Sequence, residues 1–485
     1  LVALFVATLG IQEAAAQGLT VEEIVVTARK RSESLQDIPV AISAFTADQM
    51  RVTGAANLVE LSKFTPGIQF NEQGVQEPGR FYTAIRFRGL GSEIKEPFGQ
   101  VGSAFLDGIY LSSGVSSLGT ENFERVEVVK GPSSAWLGRS TFAGAVNLIT
   151  RTPSTTEYSG RLTAKYAEDG VYDVSLSHEG PIAVDKLAYR VFVQGYGTDG
   201  QYTASDGGAL GKERTDTASA TLYATPTDDL RIKINGIYAK DNDGAPAGLL
   251  ISGPEGLRGM NTTGITNCFA QNPTWPTLFK QNNPTLGNLT DFVCGQIPTG
   301  LDYLVDTNTT ITPDFINYWN NIVPQNSSAL KTNSVGLTRK QRRASINIDY
   351  DLPFDGVMSG STLTLLAGYG KEQVTSIRDF DITPVANWLS RDPQIVKTKQ
   401  YEARLASGQD NPLTWLLGVS LFDASFSSQF SGGEVIVGAD GGLSAVLNSF
   451  DLDALLGRTV DGICPCGFPP LDPPPLNKGK TFGVF

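Results

Sequence analysis

Residues 171–178 read VYDVSLSH and residues 187–194 read LAYRVFVQ. In the first, Tyr172, Val174 and Leu176 alternate with Asp173, Ser175 and Ser177; in the second, Leu187, Tyr189, Val191 and Val193 share one parity with Arg190 and Gln194 on the other. Successive strand side chains point to opposite faces, so each segment has one apolar and one polar face. The pattern recurs on both sides. Leu162, Ala164 and Tyr166 carry it before; Ala218, Ala220 and Leu222, then Ile232, Ile234 and Tyr238, carry it after. Ala344, Ile346, Ile348 and Tyr350 follow, then Leu363, Leu365, Ala367 and Tyr369, then Tyr401, Ala403 and Leu405, and last Leu413, Trp415, Leu417, Val419 and Leu421.

Alternation alone also fits a soluble two-sheet sandwich. The connections separate the two. After the tight link at 167–170 they alternate, short after 178, 224, 350 and 406, long after about 197, 240, 370 and 423. Short turns on one side and long loops on the other are the habit of membrane β-barrels, whose tyrosines and tryptophans gather at the two interfaces. A sheet in lipid must pair every backbone group, so it has to close. Nine segments are too few to close around a domain of more than a hundred residues, such as the stretch 37–153 that precedes them; plugged barrels need about 22 strands. The final KGKTFGVF opens a tenth strand, and the chain is expected to be a fragment at both ends.

Totals agree. The 485 residues carry net charge −12, 40% hydrophobic and 9% aromatic content, which describes an ordered chain and argues against a nucleic-acid partner. No apolar run reaches the roughly 20 residues of a spanning helix. The leader LVALFVATLGIQEAAAQG fits a secretory signal peptide over residues 1–16, cut after Ala16, with no Met or basic start before Leu1. Export permits a disulfide between Cys268 and Cys294, whereas Cys464 and Cys466 are too closely spaced for a zinc pair. The single histidine, His178, falls on the apolar parity; one histidine rules out His-based metal clusters and leaves Ser-His-Asp chemistry without support. No cofactor or metal site is expected and the chain is read as a non-enzyme.

The first part has another grammar. Thr46 and Gln49 form a capping-box pair, Leu58 and Leu61 share a helix face, Pro66-Gly67 ends that stretch, and short strand-like runs follow to Pro153. Residues 37–153 thus make a small α/β domain. Ahead of it, EEIVVTARK (22–30) reads as a strand with nothing nearby to pair with, followed by a polar linker to residue 36.

On these residues the chain resembles the TonB-dependent outer-membrane receptor family. Glu23, Ile24, Val25, Val26, Thr27 and Ala28 resemble its TonB box. IRFRGLGS, with Arg86, Arg88 and Gly89, resembles a plug motif; FLDGIY supplies Asp107-Gly108; and the run Glu124 to Pro153, with Arg125, Glu127 and Gly131, resembles the plug's last segment. The resemblance implies a transmembrane antiparallel β-barrel of about 22 strands, nine or ten of them present in residues 154–485, around an N-terminal α/β plug. It implies localisation in the Gram-negative outer membrane, contact with its lipid, and uptake driven by TonB and its inner-membrane complex. The substrate class it implies first is a ferric siderophore, an iron chelate; cobalamin, a saccharide or a passive porin-like channel are the alternatives. By the same resemblance, three plug loops, 71–80, 92–100 and 112–119, face outward, and Arg80, Lys95, Phe98 and Gln100 are the substrate candidates. The plug charges are expected to pair with the barrel wall or with each other. An unpaired box strand suits β-augmentation, in which a partner adds a strand to an open edge.

Overall fold

The computed structural model describes residues 25–247, 335–428 and 477–484 apart from short stretches, the longest being 73–78, 92–99 and 380–388, together with the backbone of 268–271 and 291–294. The leader, Glu23, Ile24, Ala28, Lys95, Phe98, Cys464 and Cys466 lie outside the described residues.

The plug begins with strand β3 (Ile42–Thr46), after two very short strands, β1 (Val25–Val26) and β2 (Glu33–Ser34). Thr46 caps helix α1 (Ala47–Thr53): its side chain accepts from the Gln49 backbone while the Gln49 side chain accepts from the Thr46 N–H, and Gly54 closes the helix in the left-handed region. Helix α2 (Leu58–Ser62) starts at Asn57 and buries Leu58 and Leu61 on one face. Then come β4 (Ile68–Glu72), β5 (Thr83–Phe87), β6 (Gly102–Leu106), β7 (Ile109–Leu111), β8 (Phe123–Lys130), the short helix α3 (Ser134–Leu137) and β9 (Gly144–Thr150). Five of these strands form one sheet in the order β3-β8-β9-β6-β7, with β6 and β9 parallel, while β4 and β5 pair separately. The central strands β8 and β9 are covered on both faces, which explains their near-continuous apolar runs. Phe87, Leu58, Leu111, Phe123, Val126 and Leu148 pack between sheet and helices. A buried side chain such as Phe87 contributes roughly 1.5–3 kcal/mol.

A second sheet wraps this domain. Its strands are β10 (Ser159–Tyr166), β11 (Tyr172–Ala183), β12 (Leu187–Thr198), β15 (Glu213–Thr227), β16 (Leu230–Asn242), β19 (Gly336–Asp351), β20 (Thr362–Asp379), β21 (Leu389–Ala406), β22 (Leu416–Ser428) and β23 (Asn477–Val484). All ten pair antiparallel with their neighbours in that order, and the sheet stays open, with β10 and β23 at its edges. The small pairs β13 (Tyr202–Thr203) with β14 (Ala209–Leu210), and β17 (Cys268–Gln271) with β18 (Asp291–Cys294), lie in the connections. In the second pair the register sets Cys268 opposite Cys294.

The parity settles sandwich against barrel. Leu176 is 52% exposed, whereas its neighbour Ser177 is 7% exposed, and the same inversion holds for Ile234 (44%) beside Asn235 (3%). A water-soluble sheet would bury the leucine. Here the apolar face looks outward and the polar face is covered by the plug. His178 is exposed on the outer face beside Tyr158 and Tyr189, its Nδ1 2.9 Å from the Tyr189 hydroxyl. The strand ends at Ala183 and Leu187, Thr227 and Leu230, Asp351 and Thr362, and Ala406 and Leu416 lie at one end of the sheet; those at Thr198 and Glu213, Asn242 and Gly336, and Ser428 and Asn477 lie at the other. One expectation is corrected: the connection after residue 370 is not long, because β20 and β21 stay paired up to Asp379 and Leu389.

Depth in a bilayer should follow from this outer face. Ile234→Arg, midway between the Tyr350 and Tyr238 levels, should cost about 2–4 kcal/mol, and Tyr350→Arg at the edge about 0–1 kcal/mol. Urea unfolding of the full-length protein in liposomes measures both; equal costs would contradict the orientation.

Candidate functional site

The strand at Val25–Val26 is not unpaired. It lies antiparallel to Glu33–Ser34 in its own linker, Val25 opposite Ser34 and Val26 opposite Glu33. A turn makes this possible: the Lys30 N–H donates to the Thr27 carbonyl at 2.8 Å, with Lys30 at φ 60°. Val26 is fully buried. The Thr27 N–H donates to Glu127 Oε1 at 2.8 Å and its hydroxyl to the same oxygen at 3.2 Å. Glu127 is also fully buried and accepts from Arg125 Nε at 2.8 Å and Asn147 Nδ2 at 3.2 Å. Lys30 Nζ donates to Glu402 on barrel strand β21 at 2.6 Å, and Arg404 sits 3.1 Å from the same carboxylate. Burial lowers the Lys30 pKa and the Glu402 charge opposes that. The segment therefore rests on both plug and barrel. It borders a cavity of about 530 Å³ lined by Thr27, Lys30, Arg125, Lys233, Asp349 and Arg404. Gly360 and Ser407, from short connections, border the same cavity and place it at the short-turn end.

The plug motifs have mainly structural work. Arg88-Gly89 and Asp107-Gly108 are two-residue turns with both φ values positive (50° and 82°, 47° and 82°), the geometry of tight hairpin reversals. The Asp107 carboxylate accepts from the Thr150 N–H at 3.0 Å and hydroxyl at 2.6 Å. Lys233 on the barrel donates to the Thr150 carbonyl at 2.6 Å and lies 3.5 Å from Asp107. Arg125 pairs with Glu124 at 2.6 Å as well as with Glu127, so these three charges satisfy one another. Gly131 donates its N–H to Ala143 at 3.0 Å, tying the ends of β8 and β9. Arg88 is exposed; Arg86 is half-buried, its side chain lying over Gly91.

At the long-loop end two expectations are overturned. Arg80 is not an open substrate group. It is 5% exposed, and its guanidinium donates to Asp243 at 3.0 Å (Nε) and to the Thr215 hydroxyl at 2.9 Å, with Glu213 at 3.6 Å and Asp241 at 3.9 Å. Burial works against its charge, but the carboxylates outweigh it and push its pKa up. Nor does 112–119 face outward. Ser112, Ser113 and Ser117 are buried, and Leu118 packs into the plug core beside Leu58 and Val115. Ser113 and Arg343 both bond Glu372, and Ser117 donates to Asp241 at 3.1 Å. Gly114 lies against the Arg339 guanidinium, which pairs with Asp241; a Cβ there would overlap it, so glycine is required for the approach. Gln100 is half-buried. Asp241, Asp243, Arg339, Arg343, Glu372 and Glu402 were not singled out from sequence. Their signal is parity: each is a charge on or beside the inward phase of a strand.

Removing one partner of a buried ion pair costs about 3–5 kcal/mol, because the other charge stays behind unpaired. Arg80→Ala should therefore loosen the plug at the long-loop end, seen as faster trypsin cleavage within 71–120 and lower urea resistance. Arg80→Lys should recover part of both.

Residues 34–145 match the family described as TonB-dependent Receptor Plug Domain. The chain is 30% identical over 146 residues to the vitamin B12 transporter BtuB of Vibrio vulnificus (strain CMCP6), covering 29% of this chain and 22% of that protein. It is 25% identical over 169 residues to the ferrichrome outer membrane transporter/phage receptor of Escherichia coli (strain K12), covering 34% and 21%. Among solved structures, the ferric yersiniabactin uptake receptor FyuA from Yersinia pestis aligns with TM-score 0.54 at 14% identity over 80% of this chain and 49% of that one. The ferric-catecholate import receptor Fiu from E. coli K12 aligns with TM-score 0.53 at 15% identity over 84% and 52%. The chain thus spans about half the length of these solved receptors, and its matches to the curated relatives cover about a fifth of theirs. Residues 34–145 thus match a TonB-dependent receptor plug domain, and in fold the chain is a plug seated in a partial β-barrel like that of the solved receptors.

Proposed function

We propose that this chain is part of an outer-membrane receptor that takes up a scarce nutrient, first of all a ferric siderophore, using energy delivered through TonB. In this reading residues 1–16 direct export, 17–36 hold the TonB box and linker, 37–153 are the plug, and 154–485 are barrel strands. Glu23 to Ala28 form the box, the short-turn end faces the periplasm, and TonB grips the box there by strand addition. The observation that carries it is the position of Val25–Thr27: a short β-ladder on the plug's own linker, held by Glu127, beside a cavity at the short-turn end. Pulling on Thr27 loads Glu127, and through it the two central plug strands. The choice of an iron chelate leans on ferrichrome, catecholate and yersiniabactin in the names of similar proteins. Vitamin B12 stands in another.

The test is uptake by the full-length receptor in cells. A panel of labelled ferric chelates and cobalamin should give one substrate whose uptake stops when TonB is deleted or the proton gradient collapses. Uptake that survives both would favour a passive channel. Val26→Pro removes a backbone donor from the box and should abolish uptake while substrate binding stays unchanged. Glu127→Ala removes charged hydrogen bonds worth about 1.5–3 kcal/mol each. A Val25→Cys reporter should then react with maleimide at least severalfold faster than in the unsubstituted background; equal rates would show that Glu127 does not hold the segment.

A further inference from the structure

Four arginines gather where the first barrel strands face the plug. Arg51 is in the last turn of helix α1 and Arg151 directly follows β9, both on the plug; Arg161 is on β10 and Arg190 on β12, both on the wall. Arg161 stands opposite Ser177 and so shares the inner face; two residues further along β11, Glu179 stands opposite Arg190. Diagonal neighbours of this kind are about 7–8 Å apart, within reach of long side chains. Residues 120–122 tie Arg151 to the same stretch of wall. The Arg151 N–H donates to the Asn122 carbonyl at 3.4 Å, and the Asn122 side chain accepts from Ser219 on β15 at 3.3 Å. None of the four arginines borders the cavity of about 530 Å³ beside Thr27.

The carboxylates nearby are already taken. Glu179 accepts from Arg190 at 2.5 Å, Asp48 pairs with Arg51, and Lys165 lies 3.6 Å from Glu121 and 3.7 Å from Asp173. Among the described residues the Arg151 and Arg161 side chains form no hydrogen bond and no salt bridge. Arg190 is 6% exposed, and its Nε, like that of Arg51, is buried without an acceptor among those residues. A buried donor left without an acceptor is costly, the more so on a charged group. Burial holds the Arg151 guanidinium below its ordinary pKa; the Arg190 charge adds to this, Glu179 opposes it, and Arg161 adds again. Arg51 is lowered as well, by burial first and then by Arg161 and Arg151. Like charges therefore face one another across the boundary between plug and wall. What the place lacks is an anion rich in acceptors. A guanidinium presents a planar fork of donors that matches two oxygens of a phosphate or a carboxylate. Two unpaired forks and two further buried donors suit a solute carrying more than one such group.

We propose that Arg151, Arg161 and Arg190, with Arg51 beside them, bind a compact multivalent oxyanion that bridges plug and barrel wall. The site depends on the fold alone, not on the identity of the nutrient or on TonB. Equilibrium dialysis of labelled pyrophosphate against the full-length protein in phosphatidylcholine nanodiscs tests it, with citrate as competitor. Binding should be saturable. The double variant Arg151→Gln, Arg161→Gln, which leaves no carboxylate without its cation, should bind about tenfold more weakly or less. Lys186→Gln, exposed in a short connection, should bind as the parent does. Displacement by citrate supports a site for oxyanions of either kind, and resistance to citrate a site for phosphates alone. Because the anion joins two parts of the native structure, pyrophosphate should also raise the urea midpoint of the parent and leave that of the double variant unchanged. Equal binding by parent and double variant, or no saturable binding by the parent, would overturn the proposal, and neither result bears on uptake through TonB.

Discussion

A sheet that faces lipid has to turn its polar side inward, and that side must then be filled. Everything else in this structure follows from the need to cover it. Asp173, Ser175, Gln194, Thr217 and Asn235 would face empty space without the plug; with it they are buried. The interface between the two parts is consequently polar and charged where a soluble protein would use leucine. Such an interface is specific, since each charge needs its partner, yet it can hydrate when parted. Burying a charge pair adds little net stability over an apolar contact, but losing one partner is costly. That combination suits the proposed reading, in which the plug must hold and also be withdrawn.

The two ends of the stopper are held differently. Toward the long loops, Arg80, Ser113 and Ser117 dock into Asp243, Glu372 and Asp241 with glycine-level closeness at Gly114. Gly368 does the same in reverse, giving Ile109 of the plug a seat on the wall. Toward the short turns the contact opens into a cavity lined by charges of both signs, with Lys233 and Lys30 as the main bridges. A pull entering through Thr27, as proposed, would meet the less compact end first.

The barrel was legible because its signal is local: period-two alternation needs only neighbouring residues, and loop asymmetry only the spacing between segments. The turns at Arg88-Gly89 and Asp107-Gly108, the Thr46 cap and the Leu58–Leu61 face are local too. The misreadings are non-local. The mate of Val25–Val26 is two residues long, too short to carry any pattern, and it depends on Glu127, a hundred residues away. Arg80 sits at the end of a polar loop and reads as an outward substrate group; its burial depends on Asp243 and Glu213 across the barrel. Residues 112–119 read as a polar serine-glycine loop, and serine and glycine are also what a plug needs to lie flat against a charged wall. Small polar residues do not announce which of the two they serve.

The internal pairing of Val25–Val26 does not oppose the proposed addition of a partner strand. A ladder of two residues on each side holds few hydrogen bonds, each worth about 0.5–1.5 kcal/mol net, and an isolated two-stranded pair is marginal in water. A partner strand running along the whole of 23–28 would form a longer ladder and displace Glu33–Ser34 at small cost. What resists exchange is therefore the seat rather than the ladder: burial of Val26, the Glu127 carboxylate on Thr27, and the Lys30–Glu402 bridge. Those three contacts touch plug and barrel together, so any shift between plug and wall changes how firmly the box is seated. The order of events then has a physical basis. If a partner strand is added as proposed, loosening of the plug would free Val25–Thr27 first, exchange would follow because the longer ladder wins, and load could be carried only after that, since a two-residue ladder would slip before it moved a docked domain.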